Sequence, residues 1–179
     1  TKSHNNREVM RDKWRKIGSP QTYYQKNFVS VFCKPLNFYK ATKIGQTAGF
    51  SNFTLHPVSV PNKGTFPTSE AAFQSFKSND QEYINKQINS SSPIFSRILG
   101  NKTKLSEEWL KKIPDVLFKI LQLKFNQNSE LIENLLKSGI SPIIYHTKND
   151  SILGDGYDDG QNILGKTLVK LRTYYLLQI

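Results

Sequence analysis

The sequence predicts an α+β fold, a single mostly helical domain with a small β-sheet, and three observations support this. The chain has 179 residues, 37% hydrophobic and 22% charged, which is typical of one globular domain with a real core. Short apolar or alternating runs, typical of strands, border turn residues at a few places along the chain. Longer stretches with apolar residues three and four positions apart, typical of helices, fill most of the remainder.

Strands are predicted where these short runs end at proline, asparagine or glycine. The run 58–60 is followed by a turn over 61–64, and a returning strand should begin at 65–66. Two further runs are predicted as strands, an alternating one over 28–33 and a buried one over 142–145.

Helices are predicted from capping residues and helical spacing. One should begin near Thr68, whose hydroxyl can cap the first free amides. A long helix should follow Ser106 and be restarted or kinked at Pro114, where the ring removes a hydrogen bond. The other helices are expected near 80–89 and 93–99, from residue 129 to a stop at Gly139, and from about residue 162.

The chain is strongly basic. It has 25 Lys and Arg against 14 Asp and Glu, a formal net charge of +11, which attracts phosphates from free nucleotides up to nucleic acid. A lysine-rich solvated surface explains the same charge equally well. Residues 1–27 are predicted as a basic N-terminal segment, partly helical or extended, ahead of one domain over 28–179. The basic residues of its dense cluster are Lys2, Arg7, Arg11, Lys13, Arg15 and Lys16.

Several classes of protein are disfavoured. No apolar run approaches the ~20 residues of a membrane span, and residues 1–16 lack the apolar core of a secretory signal. Cys33 is the only cysteine, so no internal disulfide can form and an intracellular (cytoplasmic) location is expected. The scattered histidines argue against structural zinc, and nothing in the sequence requires a metal or cofactor. The oligomeric state is left open.

One predicted helix carries a candidate catalytic face. Positions 70, 73, 74 and 77 are three, four and seven apart, so their side chains share a face. Glu70 lies in the first turn, where an ionised carboxylate is favoured and could orient a water or stabilise an oxocarbenium-like centre. Gln74 and Lys77 could hold polar or phosphate groups. The alternative is an ordinary acidic first turn on a solvated helix.

The second candidate is a glycine-rich loop. Gly154, Gly156 and Gly160 let the backbone pass close to a ligand, and free amides at the helix start near Asn162 could receive a phosphate. The spacing matches neither a P-loop nor a dinucleotide fingerprint. Asp150 precedes the glycines at the end of a predicted strand, where side chains often line a cleft. His146 is expected to be packed or at the surface rather than catalytic.

Taken together, these stretches resemble the YbiA-like or NADAR family over most of the chain, from about residue 37 to 172. The matching pieces, in chain order, are Phe50-Ser51-Asn52-Phe53, Phe66-Pro67-Thr68-Ser69-Glu70, Phe73-Gln74, Lys77, Lys124-Phe125, Thr147, Asn149-Asp150, Gly154-Asp155-Gly156, Asn162-Ile163-Leu164-Gly165, Leu168 and Arg172.

The resemblance implies an N-glycosidase that hydrolyses the N-ribosidic bond of phosphorylated intermediates of riboflavin biosynthesis. Two alternatives stay open, an ADP-ribosyl glycohydrolase acting on modified nucleobases in nucleic acid and a catalytically weak ADP-ribose-binding module. The implied ligand is a small phosphorylated N-riboside or an ADP-ribose-like molecule. Glu70 would be the main catalytic carboxylate and Asp150 its partner. The implied substrate-binding residues are Ser51, Asn52, Phe53, Phe66, Gln74, Lys77, Gly154, Gly156 and Asn162.

The sequence departs from the family pattern at three positions. Leu153 stands where the family usually has tryptophan before Gly-x-Gly, which removes a flat surface for stacking a base. Tyr145 stands where many members have an acid, and Phe66 replaces a common tryptophan. The aromatic residues left as candidates for stacking are Phe38, Tyr39, Phe50, Phe53 and Phe66.

Overall fold

A computed structural model describes residues 34–39, 45–103 and 106–178 of the protein. The predicted basic segment and the predicted strand over 28–33 lie outside these residues. The described part contains six α-helices and four short strands, which confirms the predicted α+β class with helices dominant. It divides into two compact units. The larger contains residues 38–39, 45–103, 106–139 and 167–178, and the smaller contains residues 34–37 and 140–166.

The larger unit contains the predicted hairpin. Strand β2 (Val58–Val60) pairs antiparallel with β3 (Gly64–Phe66), with Val58 opposite Phe66. The turn between them uses left-handed backbone at Asn62 (φ 63°) and Gly64 (φ 118°), which asparagine and glycine tolerate. One face of the hairpin joins a hydrophobic cluster composed of Val58, Val60, Phe66, Ala71, Ala72, Ile84 and Ile120.

Three capped helices follow the hairpin. Helix α1 (Ser69–Gln74) begins as predicted, because Thr68 Oγ1 accepts a hydrogen bond from the Ala71 amide at 3.1 Å. It tightens into a 3₁₀ helix over Ser75–Lys77. Asp80 caps α2 (Gln81–Ile88), and Ser92 caps α3 (Pro93–Asn101), so both predicted helices are confirmed.

The longest helix, α4 (Glu107–Asn126), continues through Pro114, so the predicted restart there is wrong. Pro114 cannot donate to the Leu110 carbonyl, but both residues lie on the exposed side, where water can bind that carbonyl. The buried stripe of α4 consists of Trp109, Ile113, Leu117, Ile120, Leu121, Lys124 and Phe125.

Helix α5 (Ser129–Lys137) ends before Gly139, whose φ of 59° confirms the predicted stop. In the smaller unit, β4 (Ile143–Tyr145) pairs with β1 (Leu36–Phe38), and the Leu36 amide donates to the Pro142 carbonyl at 2.8 Å.

Helix α6 (Ile163–Leu176) starts where expected, and the predicted apolar stripe is buried at Leu164, Leu168, Leu171 and Tyr175. Among the described helices, none is both long enough and apolar enough to cross a membrane.

Candidate active site

Glu70 is a buried carboxylate in the first turn of α1, with only 3% of the residue exposed. This burial rules out the alternative of an acidic first turn on a solvated helix. Gln74, one turn later, donates from Nε2 to Glu70 Oε1 at 2.8 Å, so the predicted shared face is confirmed for these two residues. Because it is hydrogen-bonded and buried, this carboxylate is held in one orientation.

A loop over residues 49–54, called here the Asn52 loop, packs against the start of α1. The Asn52 carbonyl accepts hydrogen bonds from the Glu70 amide at 3.0 Å and from Ser69 Oγ at 3.2 Å. Ser69 Oγ also lies 3.2 Å from Asn52 Oδ1. The Asn52 side-chain nitrogen Nδ2 is buried and has no hydrogen-bond partner among the described residues. An unpaired buried donor is costly, so Asn52 is suited to bind a polar group of a ligand.

Ser51 shapes the Asn52 loop from within. Its Oγ accepts from the Phe53 amide at 3.1 Å, and its carbonyl accepts from Thr54 Oγ1 at 3.0 Å. The Ser51 carbonyl also accepts from the Thr54 amide at 3.3 Å, so Ser51 fixes the shape of the loop beside Asn52, and its contact with substrate stays a prediction.

The other end of the candidate face lies against α3. A methyl group added at Gly100 would stand 2.0 Å from Gln74 Oε1, so Gly100 leaves the space that the Gln74 side chain occupies. Lys77 Nζ donates to the Gly100 carbonyl at 3.0 Å. Gly100 thus contacts both polar residues that follow Glu70 on the face. Sequence analysis did not single out Gly100, because a glycine late in a helix ordinarily indicates only the approaching helix end.

Among the aromatic candidates, Phe50 and Phe66 are fully enclosed, each with 0% exposure. Phe66 belongs to the hydrophobic cluster of the hairpin, because it lies on the inward face of β3, which packs on α1. Its contact with substrate stays a prediction. Phe53 is half-buried, with the Arg97 guanidinium 5.7 Å above its ring, and Tyr39 is exposed. Phe53 is the candidate closest in sequence to Asn52.

Lys124 is the second residue that sequence analysis did not assign to the site. Its Nζ donates to the Gly49 carbonyl at 2.6 Å, the Ser51 carbonyl at 2.8 Å and Thr54 Oγ1 at 2.8 Å. Burial lowers the pKa of this amine to about 7. The sequence did indicate that Lys124 is buried, because a lysine stands at this position among the apolar residues of the α4 stripe.

In the smaller unit, Asp150 closes a tight turn after β4. One of its oxygens, Oδ1, accepts from the amides of Ile152 at 3.1 Å and Leu153 at 2.8 Å. These bonds fix the direction of the carboxylate. Leu153 is itself buried, with 8% exposure, and Tyr145 is buried as well.

The glycine loop is organised by Asp155. Its Oδ1 accepts from the amides of Thr147 at 2.9 Å and Tyr157 at 3.2 Å, and its Oδ2 lies 2.6 Å from His146 Nδ1. The His146 ring also packs on Tyr157 with 4.6 Å between ring centroids, and its side chain is partly exposed, so of the two predicted alternatives it takes the surface position.

The glycines permit close backbone packing in this loop. A methyl group at Gly154 would lie 2.4 Å from Thr147 Cγ2, and Gly156 adopts a left-handed φ of 55°. The structure thus gives both glycines a role in shaping the loop, while their contact with substrate stays a prediction.

The amides that open α6 are already occupied, so the expectation that they receive a phosphate is wrong. Asn162, Ile163 and Leu164 donate their amides to the carbonyls of loop residues 154, 152 and 153, at 2.8, 3.2 and 3.0 Å. The loop folds back over the helix start and supplies the acceptors itself. The Asn162 side chain is also engaged, since Nδ2 donates to the Ile143 carbonyl and Oδ1 accepts from the Tyr145 amide, both at 3.0 Å.

Comparison with known proteins identifies the family. The family model for the NADAR domain matches residues 37–175. Two relatives named N-glycosidase YbiA, from Shigella boydii serotype 4 (strain Sb227) and Escherichia coli (strain K12), are 37% and 36% identical over 140 residues. Each alignment covers 76% of this chain and 86% of the relative. A riboflavin biosynthesis protein of Vibrio vulnificus (strain YJ016) is 29% identical over 148 residues, 80% of this chain and 39% of that protein.

A solved structure gives the same result. The NMR structure of the E. coli protein YbiA superposes with a TM-score of 0.71 at 34% sequence identity, covering 81% of this chain and 86% of that one. The family match extends over more than half of the chain, and the two relatives named N-glycosidase YbiA exceed 30% identity over most of it. The chain therefore belongs to the NADAR domain family.

Proposed function

We propose that this protein is an N-glycosidase that hydrolyses the N-ribosidic bond of a phosphorylated ribosylaminopyrimidine of the kind formed in riboflavin biosynthesis, or of a related N-riboside. The proposal is supported at two levels. Relatives at 36–37% identity carry the name N-glycosidase, and a more distant one is named as a riboflavin biosynthesis protein. The first supports the reaction class, and the second supports the substrate.

The observation that carries the proposal is the environment of Glu70. A carboxylate with 3% exposure is costly to ionise unless hydrogen bonds stabilise the charge, and Gln74 Nε2 supplies one at 2.8 Å. Its place in the first turn of α1 favours the ionised form further. A carboxylate kept in a fixed direction is suited to stabilise the positive charge that develops on a ribosyl ring as its C1′–N bond breaks.

In the proposed reaction, the C1′–N bond breaks and a water oxygen forms the new bond to C1′. The water loses one proton to a carboxylate, and the departing nitrogen keeps the bonding electron pair and gains one proton. Glu70 is assigned to stabilise the ribosyl cation and to orient the water. Asp150, whose Oδ1 is fixed by two amides, is assigned as the second carboxylate.

Substrate binding is assigned to the polar groups around Glu70. The buried Nδ2 of Asn52 is a donor that a ribose hydroxyl or phosphate oxygen would satisfy. Ser51, Gln74 and Lys77 complete this part of the proposed site. Phe53, half-buried, is assigned to contact the base, because Leu153 offers no flat surface. Gly154, Gly156 and Asn162 are assigned to shape the wall around the ribose.

A second candidate function is favoured by the net charge of +11. A glycohydrolase that removes ADP-ribose from nucleobases in nucleic acid would gain affinity from this charge. Binding to a polymer weakens steeply as salt rises, whereas binding of a small N-riboside weakens much less. The third possibility, an ADP-ribose-binding module with little activity, is favoured by the departures at Leu153 and Tyr145.

The test compares the unmodified protein with Glu70→Gln and with Glu107→Gln, a matched control in which an exposed first-turn acid of α4 is changed. Sugar release is followed with a panel of phosphorylated N-ribosides and with ADP-ribosylated DNA, each at low and high salt. The proposal predicts that release from an N-riboside is lost in Glu70→Gln only. Turnover restricted to the DNA and abolished by salt would favour the second function. ADP-ribose binding without any turnover would favour the third.

A further inference from the structure

Lys124 is a buried lysine with an unusual environment. Its side chain has 0% exposure, and none of the ion pairs in the described part of the chain involves it. A lysine ammonium has three hydrogen-bond donors, and three acceptors lie within 2.8 Å of Nζ. All three acceptors belong to the Asn52 loop. The Lys124 side chain therefore extends from α4 to the Asn52 loop, and among the described residues no other acceptor lies as close to its Nζ.

Such an arrangement is costly, because an ammonium loses its hydration on burial. The cost appears in the pKa of Lys124, which burial lowers to about 7. An apolar side chain at this position of the α4 stripe would avoid that cost, but the Gly49 carbonyl would lose this donor and the Ser51 carbonyl would keep only its bonds from Thr54. The lysine thus serves the conformation of the loop rather than the packing of the helix.

The loop held by Lys124 also binds the backbone of Glu70, the proposed catalytic residue. Its Asn52 carbonyl accepts from the Glu70 amide at 3.0 Å and from Ser69 Oγ at 3.2 Å. Ser69 Oγ lies 3.5 Å from Lys124 Nζ, so the amine is also near the start of α1. A continuous set of hydrogen bonds therefore runs from Lys124 through the Asn52 loop to Glu70.

We propose that Lys124 is a positioning residue for the glycosidase reaction, which fixes the Asn52 loop so that Asn52 and Glu70 keep their relative geometry. This inference rests on the proposed function for its effect on turnover, but its effect on the loop is independent of any activity. Lys124 does not contact the substrate in this account. It acts through the hydrogen bonds of the loop.

The first test is structural and uses Lys124→Met, with Lys111→Met, an exposed lysine of the same helix, as the control. Hydrogen exchange is measured at the amides of Phe53, Thr54 and Glu70. In Lys124→Met, we expect the exchange rate at these three amides to rise at least tenfold more than the rate at the buried Leu121 amide. In Lys111→Met, the rates at these amides should stay unchanged. A uniform rise across the protein, or no rise at the loop, would overturn the inference whatever the enzyme's substrate.

The second test is kinetic and includes Thr54→Val, which removes one of the three acceptors and leaves the lysine in place. We expect kcat/KM to fall at least tenfold in Lys124→Met and by a smaller factor in Thr54→Val. In a Glu70→Gln background, Lys124→Met should lower residual activity by less than threefold, because both changes remove the same contribution of Glu70 to catalysis. Full additivity, or unchanged activity in both single variants, would overturn the positioning role.

The two proposals fail in different ways. If Glu70→Gln keeps full activity, the proposed function fails, while the hydrogen-exchange result still decides whether Lys124 holds the loop. If Glu70→Gln is inactive and Lys124→Met keeps both loop protection and turnover, the positioning role alone fails.

Discussion

Gln74 Nε2 donates a 2.8 Å hydrogen bond to Glu70 Oε1, while the opposite atom of the same amide, Oε1, lies over Gly100 of a neighbouring helix. One end of the amide is therefore bonded to the Glu70 carboxylate, while Oε1, which has no hydrogen-bond partner among the described residues, fills the space that Gly100 leaves. Gln74 and Gly100 together therefore fix the direction of the Glu70 carboxylate, although neither residue is acidic.

Removal of the Gln74 amide should weaken catalysis without unfolding the protein. Gln74→Leu keeps a similar volume but deletes the hydrogen bond to Glu70, so we expect kcat/KM to fall about tenfold, equivalent to about 1.4 kcal/mol. Sugar-release kinetics measure this, with Gln81→Leu on the exposed face of α2 as the control. Wild-type kinetics in Gln74→Leu would show that the hydrogen bond does not support Glu70.

A methyl group at Gly100 should displace Gln74. In Gly100→Ala the added carbon would lie 2.0 Å from Gln74 Oε1, so the amide must move and its bond to Glu70 must lengthen. Alanine itself favours a helix over glycine by about 1 kcal/mol, so stability should change less than activity. We expect at least a tenfold loss of kcat/KM with a nearly unchanged unfolding midpoint. Asn101→Ala, next in the helix, should leave both intact, and equal loss in the two variants would contradict this account.

The pKa of Lys124 predicts how stability depends on pH. The folded-state pKa is about 7, below the ordinary value of 10.5, so between these values the unfolded chain binds one more proton than the folded protein. The free energy of unfolding should therefore rise with pH over this window, by about 2 kcal/mol between about pH 7 and pH 9. Below the folded-state pKa both states are protonated and this contribution is constant.

Urea denaturation of the unmodified protein and Lys124→Met at several pH values measures this difference. His56, whose pKa is lowered from its ordinary value of 6.5 by burial first and by the Lys124 charge second, titrates at lower pH and lies outside the window. The rise should be absent in Lys124→Met. The same pH dependence in both proteins would assign it to other groups.

Asn162 is expected to stabilise the smaller unit. Its side chain bridges the Ile143 carbonyl and the Tyr145 amide, so Asn162→Ala removes one hydrogen bond from each of two backbone groups of β4. Its left-handed φ of 49° is also less favourable for alanine than for asparagine. We expect a loss of about 1–3 kcal/mol in the free energy of unfolding, with little change in the exposed control Gln161→Ala. A loss of substrate affinity without loss of stability would instead favour a direct binding role.

Local signals predicted most of the secondary structure. The Thr68 cap, the Gly139 stop and the hairpin turn before Gly64 each depend on residues next to one another, so their chemistry is visible in the sequence. Pro114 was misleading because its cost depends on whether water can reach the Leu110 carbonyl, and exposure is a tertiary property. The side-chain face of Glu70 and Gln74 followed from helical spacing alone.

The parts of the site that could not be predicted depend on distant contacts. The amides of residues 162–164 looked free because the loop that occupies them precedes the helix by several residues and folds back. Phe66 lies on the core side of β3, which alternation alone did not decide. Gly100 contacts Gln74, 26 positions earlier in the chain, and Lys124 binds Ser51, 73 positions earlier. No local sequence pattern indicates such pairings.

Substitution of Glu70 by glutamine tests the central claim most directly. Glu70→Gln keeps the size of the side chain and an oxygen that can accept from Gln74, and it removes only the charge. Steady-state sugar release from a phosphorylated N-riboside should fall by at least about a hundredfold, while the melting temperature and the Glu107→Gln control remain close to those of the unmodified protein. Equal turnover by Glu70→Gln and the unmodified protein would contradict the assignment of Glu70 as the catalytic carboxylate.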